Sequence, residues 1–237
     1  MIANQLLVAL PADERERLLP NLEYVPLAVG DVLYNPNDPI RHVYFPNNGV
    51  VSILNTLEER MSIEVGMVGK EGMVGIPVFL GVDTAINQAV VQVPGNAVRM
   101  VTETFKDIAK RDGPFHDLLH LYIHALLTQM SLSIACNRFH NVEKRFARWL
   151  LVIHDRVDSD EFMLTQEYIS RMLGAHRPHV STAAGTLQKA GLIRYRRGQI
   201  TILNRDGLEK SCCDCYRNGR ENFDGLFKRL NPLSPLI

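Results

Sequence analysis

After Gly113-Pro114 the apolar residues stop alternating and begin to recur every three or four positions, at Phe115, Leu119, Tyr122, Leu126 and Met130, with Leu118, Ile123 and Leu127 widening the stripe. A period of two before that point and of about 3.6 after it means strands first and helices afterwards. Up to about Met100 the apolar segments are short and broken by Gly30-Asp31, Asn37-Asp38-Pro39, Asn47-Asn48-Gly49, Gly69-Lys70-Glu71-Gly72 and Pro94-Gly95. Met61, Ile63, Val65 and Met67 share one face of a strand, as do Ala89, Val91 and Val93. Many short strands with Gly and Pro punctuation predict a sheet that curls on itself, here a small β-roll.

The helical stripe predicts one long helix over about residues 114–137. At 1.5 Å per residue, ~22 residues span ~33 Å, longer than a roll of this size needs for its own cover. Phe115, Leu119, Tyr122, Leu126 and Met130 are therefore expected to meet a second subunit. The alternative is that the helix caps the roll of a monomer. The pattern breaks at Cys136 to Asn141 and resumes with Val142, Phe146, Trp149, Leu150 and Ile153 on one face, leaving Arg145 and Arg148 to point elsewhere. A chain of 237 residues with 46% apolar content can fill two cores. The expected units are residues 1–140 and 141–237, joined by a hinge.

Charge divides along the same line. The chain balances 26 basic against 26 acidic residues, yet residues 1–111 hold nine Lys/Arg against thirteen Asp/Glu. From Tyr168 to Arg205 there are seven Arg/Lys and no acid. Such a segment points at a polyanion. Its local signals spell helix, turn, helix, hairpin. Thr165 is placed as an N-cap, with Leu164 and Ile169 spaced as a hydrophobic staple. Gly174 ends the first helix in the left-handed region, and Pro178 sits in the first turn of the second, where its missing N–H costs nothing. Val180, Ala184 and Leu187 form the buried edge of that second helix. Arg177, His179, Ser181, Thr182 and Gly185 face away from it, and a face of small polar groups lets a helix enter a major groove ~12 Å wide. Leu192 to Leu203 reads as two strands around Arg196-Arg197-Gly198. The candidate DNA-contacting residues are thus Thr165, Gln166, Arg177, His179, Ser181, Thr182, Lys189, Arg194, Arg196 and Arg197. The wing arginines are suited to phosphates and Arg177 to a base edge.

Other classes find less support. The apolar run Leu6 to Leu10 has no basic segment before it and is followed by Pro11 and charged residues, unlike a signal peptide. No segment is expected to reach the ~20 apolar residues of a membrane span. Four cysteines, three of them at Cys212, Cys213 and Cys215, do not resemble a disulfide framework. The expected location is the cytoplasm. His42 is the only histidine before residue 116, so a metal-dependent β-roll enzyme is not expected. The rival function is a ligand-binding signalling module that acts on a protein partner through the basic surface.

VYFPNNGVVS (43–52), IEVGMVGKEGMVG (63–75), ACNRFHNVEKRFARWLLVIHDRV (135–157) and the helix-turn-helix together resemble the Crp/Fnr family of bacterial transcription regulators. The resemblance implies an α+β architecture: a jelly-roll-like cyclic-nucleotide-binding-type β-roll, a long dimerisation helix and a C-terminal winged helix-turn-helix. It also implies a homodimer on a palindromic operator, with RNA polymerase and a small-molecule effector as further partners. Two departures stand out. Family members often carry Glu at the position of Pro178 and Arg at that of Thr182, so of the base-reading side chains only Arg177 is kept. In the sensor, Asn87-Gln88-Ala89 stands where the phosphate-binding Arg-Ser/Thr-Ala would be, and no Arg or Lys lies between Lys70 and Arg99. A buried phosphate without a cation is costly, so cyclic AMP is not the expected ligand.

The family's iron–sulfur cluster needs cysteines near the N-terminus, whereas the first here is Cys136. Cys212, Cys213 and Cys215 are too few for a four-thiolate site unless residues from elsewhere contribute, and are expected in a mobile tail as free thiols. His116, His120 and His124 fall on one flank of the long helix. They could chelate zinc or copper, but no carboxylate or Cys completes the shell, and a polar edge beside the apolar seam is the expectation. No metal site is expected, and the effector is left open.

Overall fold

The computed structural model describes residues 2–57 and 61–230, with the backbone alone at Leu57, Met61, Arg229 and Leu230; the alternation expected at Met61 and the chain beyond residue 230 lie outside the described side chains. Two short helices, α1 (Gln5–Val8) and α2 (Ala12–Leu18), and a 3-10 turn (Leu19–Asn21) lead into β1 (Glu23–Leu27), β2 (Val32–Tyr34), β3 (His42–Leu57) and β4 (Met61–Val68). After α3 (Ile76–Phe79) come β5 (Gln88–Val101) and α4 (Thr102–Ala109). The strands form one antiparallel sheet in the order β1-β5-β3-β4, with β2 also on β5. The α+β expectation with an N-terminal roll is met.

Two of the expected turns are not turns. Asn47-Asn48-Gly49 lies inside β3 and Pro94-Gly95 inside β5, opposite one another where the pairing register shifts. A Cβ on Gly49 would come within 2.7 Å of the Val93 carbonyl oxygen, and one on Gly95 within 2.5 Å of that of Asn48. The backbones approach too closely for any side chain, and the bulges bend both strands so that the sheet can roll. Asn48 Oδ1 accepts from the Asn96 backbone N–H at 2.9 Å, and Asn47 Nδ2 donates to Asn96 Oδ1 at 2.9 Å. The irregular ladder thus keeps its polar groups paired.

The long helix α5 (Pro114–Phe139) runs 26 residues. Phe115, Leu118, Leu119, Tyr122, Ala125 and Leu126 enter the roll's own core with Phe45, Phe105 and Met100, and Met130 packs against it. Tyr122 Oη donates to the Met73 carbonyl at 3.0 Å. This corrects the subunit contact expected at Phe115, Leu119, Tyr122, Leu126 and Met130: that stripe caps the roll, because the strands leave one side open and need an apolar lid. The helix is apolar on its other side too, with Leu127 61% and Ile134 72% exposed. By length and composition alone it is long and apolar enough to cross a membrane, which corrects the expectation that no segment reaches that size; its inner face is spent on the roll.

The helix ends at His140, which is extended, and Asn141 caps α6 (Val142–His154) through its side chain at 2.9 Å from the Lys144 N–H. The second core gathers Phe146, Trp149, Leu150 and Ile153 with Ile169, Val180, Leu187 and Ile200, and extends onto Val50, Leu54, Met67 and Val93 of the roll. Arg145, expected on the outer side of α6, is buried and donates to the Leu173 carbonyl. Beyond the winged segment, α9 (Arg205–Ser211) and α10 (Asp214–Leu230) correct the expected mobile tail. Leu226 sits in the roll's core cluster, and Asn222 Nδ2 donates to the Ala125 carbonyl of α5 at 3.2 Å.

Candidate nucleic-acid interface

The basic segment folds as β6 (Glu161–Met163), α7 (Gln166–Leu173), α8 (Arg177–Lys189), β7 (Ile193–Arg196) and β8 (Gln199–Ile202), with the strands ordered β6-β8-β7. Strand β6 was not foreseen, because three residues between Asp160 and Leu164 carry too little alternation to stand out. Thr165 Oγ1 accepts from the Tyr168 N–H at 3.2 Å and starts α7, and Gly174 at φ 55° ends it. Pro178 lies in the first turn of α8, whose buried side is Val180, Ala183, Ala184 and Leu187. A single-residue spacing error in any of these signals would rotate α8 and bury its outer face.

That outer face carries Arg177, Pro178, His179 and Thr182 exposed, with Ser181 half-buried. Ser181 Oγ donates to Gln166 Oε1 at 2.8 Å, tying the start of α7 to α8, so these two candidates hold the helices together as well as facing outward. Thr182 Oγ1 donates back to the Pro178 carbonyl at 3.0 Å. The wing turns at Arg197 (φ 52°) and Gly198 (φ 81°), both left-handed, as a two-residue hairpin of the primed type requires. Two residues that anchor the wing were missed by sequence reasoning. Gln188 Oε1 accepts from the Tyr195 N–H at 2.7 Å, and Tyr195 Oη donates to the Leu164 carbonyl at 2.9 Å. A glutamine near a helix end carries no signal of such a role.

Of the seven cations between Tyr168 and Arg205, two serve the fold. Arg171 donates to Ser62 Oγ on β4 at 3.0 Å, and Arg205 pairs with Asp155 at 2.6 Å. The other five, Arg177, Lys189, Arg194, Arg196 and Arg197, are exposed and make no ion pair among the described residues. Exposed cations without an ion-pair partner among the described residues leave their field directed outward, toward any polyanion that fits the helix and the hairpin together.

Residues 144–211 match the model of the Crp-like helix-turn-helix domain, and residues 24–112 that of the cyclic nucleotide-binding domain. The chain is a DNA-binding transcription regulator of the Crp/Fnr family. Solved structures share the regulator's fold across both halves. A protein from Eubacterium rectale, described as a Crp/Fnr-family transcriptional regulator, is 20% identical over 90% of this chain and 97% of its own, with a TM-score of 0.68. FixK2 from Bradyrhizobium japonicum is 16% identical over 81% and 98%, also with a TM-score of 0.68. The c-di-GMP responsive global regulator CLP of Xanthomonas campestris is 18% identical over 81% and 99%, with a TM-score of 0.60. No curated protein sequence matches the chain.

In the regulator's roll, Asn87 Nδ2 donates to Asn55 Oδ1 at 2.5 Å and Gln88 Nε2 to Asn35 Oδ1 at 3.0 Å. The side chains at the expected phosphate position are therefore amides already engaged with other amides, a poor fit to a cyclic phosphate. A cavity of about 470 Å³ opens outside the roll, between α5, α6 and α10, lined in part by Lys70, Arg148, Arg156, Arg220 and Phe223. His116 and His120 pack edge-on against Phe79, with ring centroids 5.5 and 5.0 Å away, and His124 is exposed.

Proposed function

We propose that the regulator binds an inverted repeat as a homodimer, with α8 in the major groove and the β7–β8 hairpin on the flanking phosphates. The observation that carries this reading is the set of five exposed, unpaired cations on α8 and the wing. Arg177 begins α8 and is the one long donor among short side chains, so it is the guanine-reading residue. Lys189, Arg194, Arg196 and Arg197 neutralise phosphates, and Thr165, Gln166, His179, Ser181 and Thr182 line the approach. In mobility-shift titrations on DNA from its own upstream region, Arg177→Ala should cost ~1–3 kcal/mol and relax specificity at one base position. Arg196→Ala or Arg197→Ala should weaken binding to every duplex and lower the salt slope by about one. Equal loss for Arg177→Ala on operator and random DNA would overturn its role, and an unchanged salt slope would overturn that of the wing.

The second subunit is assigned to the outer face of α5. His120, His124, Leu127, Ser131, Ile134 and Arg138 are all exposed and recur at alternating steps of four and three, the repeat of a two-stranded seam. Ile134→Glu should give a monomer by light scattering and lose the full inverted repeat. A variant that remains dimeric would overturn the seam. We divide the chain at residue 140, with residues 1–140 as sensor and dimerisation helix and residues 141–237 as the winged DNA-binding domain and a tail whose helix α10 returns to α5. The engaged amides at Asn87 and Gln88 support a sensor that does not answer to cyclic AMP. The likeness in fold to CLP, described as c-di-GMP responsive, supports a roll that answers to another ligand. The reading includes no catalytic role, places the chain with the DNA in the cytoplasm, and anticipates RNA polymerase and an effector as further partners.

A further inference from the structure

Three cysteines and a histidine that lie far apart in the chain converge where α5 ends. Cys136 and His140 are one helical turn apart at that end, and Cys213 and Cys215 lie at the junction of α9 and α10. Their four ligand atoms are all within 4.8 Å of one another. Cys136 Sγ is 3.6 Å from Cys213 Sγ, and Cys215 Sγ is 3.7 Å from His140 Nδ1. The three cysteines form a buried cluster of their own, and His140 is half-buried beside them.

These distances discriminate between chemistries. A disulfide would hold two sulfurs at ~2.05 Å, and all four cysteines are free. A multi-iron cluster spreads its thiolates around a cage wider than this group. A single tetrahedral ion with S ligands at ~2.3 Å and an N ligand at ~2.0 Å separates sulfurs by ~3.8 Å, and sulfur from nitrogen by ~3.5 Å. The Cys136–Cys213 edge of 3.6 Å and the Cys215–His140 edge of 3.7 Å match that tetrahedron, and the remaining ligand atoms lie within 4.8 Å of one another.

Charge agrees with geometry. Three thiolates, a neutral imidazole and a divalent ion sum to one negative charge, which a buried site must balance. Arg148 supplies the positive charge: its Nε is buried with no hydrogen-bond partner among the described residues, and its field acts on Cys136 and Cys215. Its Nη2 is held by Ser133 Oγ at 2.8 Å, which fixes the guanidinium near the cluster.

We propose that Cys136, His140, Cys213 and Cys215 bind one zinc-type divalent ion that fastens the tail to the end of α5. On binding, three thiol protons pass to solvent, four ligand bonds form and no electron moves. Soft thiolates in a tetrahedral S₃N set select zinc over the hard cations. The bond bridges the break at His140-Asn141, so loading fixes the angle between the long helix and everything that follows it. This inference does not depend on how the wing meets DNA.

The test is a cobalt(II) titration of the reduced full-length chain, read by visible absorption. One equivalent should develop the intense spectrum of tetrahedral thiolate-bound cobalt, and zinc should bleach it. Cys213→Ser and His140→Ala should each lower the apparent affinity by ~100-fold or more. Cys212→Ser should leave it unchanged, since Cys212 Sγ turns away to the Glu209 carbonyl. His140 is half-buried, and circular dichroism verifies that its variant is folded. A folded wild-type chain that yields no tetrahedral cobalt spectrum overturns the proposal. So does an equal loss in Cys212→Ser and Cys213→Ser, or a reduced chain that takes up no metal and on air oxidation simply joins Cys136 to Cys213.

Discussion

Arg156→Met is expected to cost about 3–5 kcal/mol in a urea unfolding titration, the largest loss among these predictions. Arg156 is buried, its Nε donates to Glu71 Oε1 at 2.8 Å, and its Nη2 is ion-paired with the same oxygen at 2.8 Å. Its Nη1 donates to the Val152 carbonyl at 2.7 Å, and Nη2 lies 2.9 Å from the Gln129 amide oxygen when that amide takes its better-bonded orientation. The arginine follows α6, Glu71 follows β4 and Gln129 belongs to α5, so one guanidinium joins three elements. Removing it leaves a buried carboxylate with no counter-charge, and that penalty exceeds what the pair itself contributes. The double variant Arg156→Met/Glu71→Gln should recover part of the loss. If the single variant unfolds like wild type, the pair is not a joint of the fold.

Wild-type stability is expected to fall by up to about 3 kcal/mol between pH 4.5 and pH 7, and Glu64→Gln should abolish that slope. The Glu64 carboxyl is enclosed at the end of a half-buried side chain, accepting from Ser52 Oγ at 2.7 Å and from Trp149 Nε1 at 2.9 Å. Burial pushes its pKa up from 4.5 to about 7, against the lowering effect of those two hydrogen bonds. Across that window the folded chain keeps a proton that the unfolded chain has released. Stability is thus fullest below pH 4.5, declines as pH rises, and levels off above about 7. Glutamine can accept from Trp149 while its amide donates to Ser52, whose own proton then serves Gln92 Oε1, 2.5 Å away. The variant should therefore be the more stable protein at pH 8. Parallel slopes for both proteins in unfolding at pH 5, 6, 7 and 8 would exclude this account. Because Glu64 is on β4 and Trp149 on α6, the same proton sits where the sensor meets the DNA-binding half.

The winged segment was the most legible part of the chain because its signals are local. Thr165, Gly174 and Pro178 each fix a backbone state within a few residues, and Val180, Ala184 and Leu187 then orient α8 without reference to the rest of the protein. The roll was legible in kind but not in detail. Asn, Gly and Pro mark both a turn and a bulge, and only the opposite strand distinguishes Asn47-Asn48-Gly49 from a chain reversal. The helix α5 misled for another reason. It carries apolar residues on both faces, so the stripe with the largest side chains was assigned to a partner when the open side of the roll claims it. Among the candidate contacts, Gln188 and Tyr195 were invisible because their value lies in holding the wing, not in any chemistry of their own. The gathering of Cys136 and His140 with Cys213 and Cys215 depends on α10 folding back over some 77 positions of chain, which no local pattern encodes.

That return path has a consequence for how the protein is made. The first unit to leave a ribosome cannot finish its core until Leu226 of that core, and Phe223 and Phe227 packed against it, have followed the winged segment out. The nascent roll must wait, with the flank of α5 bare, until α10 has been made. A chain cut short after the wing would keep its reading head and yet expose an oily strip along the long helix, so truncation should be felt first as aggregation and only afterwards as loss of recognition.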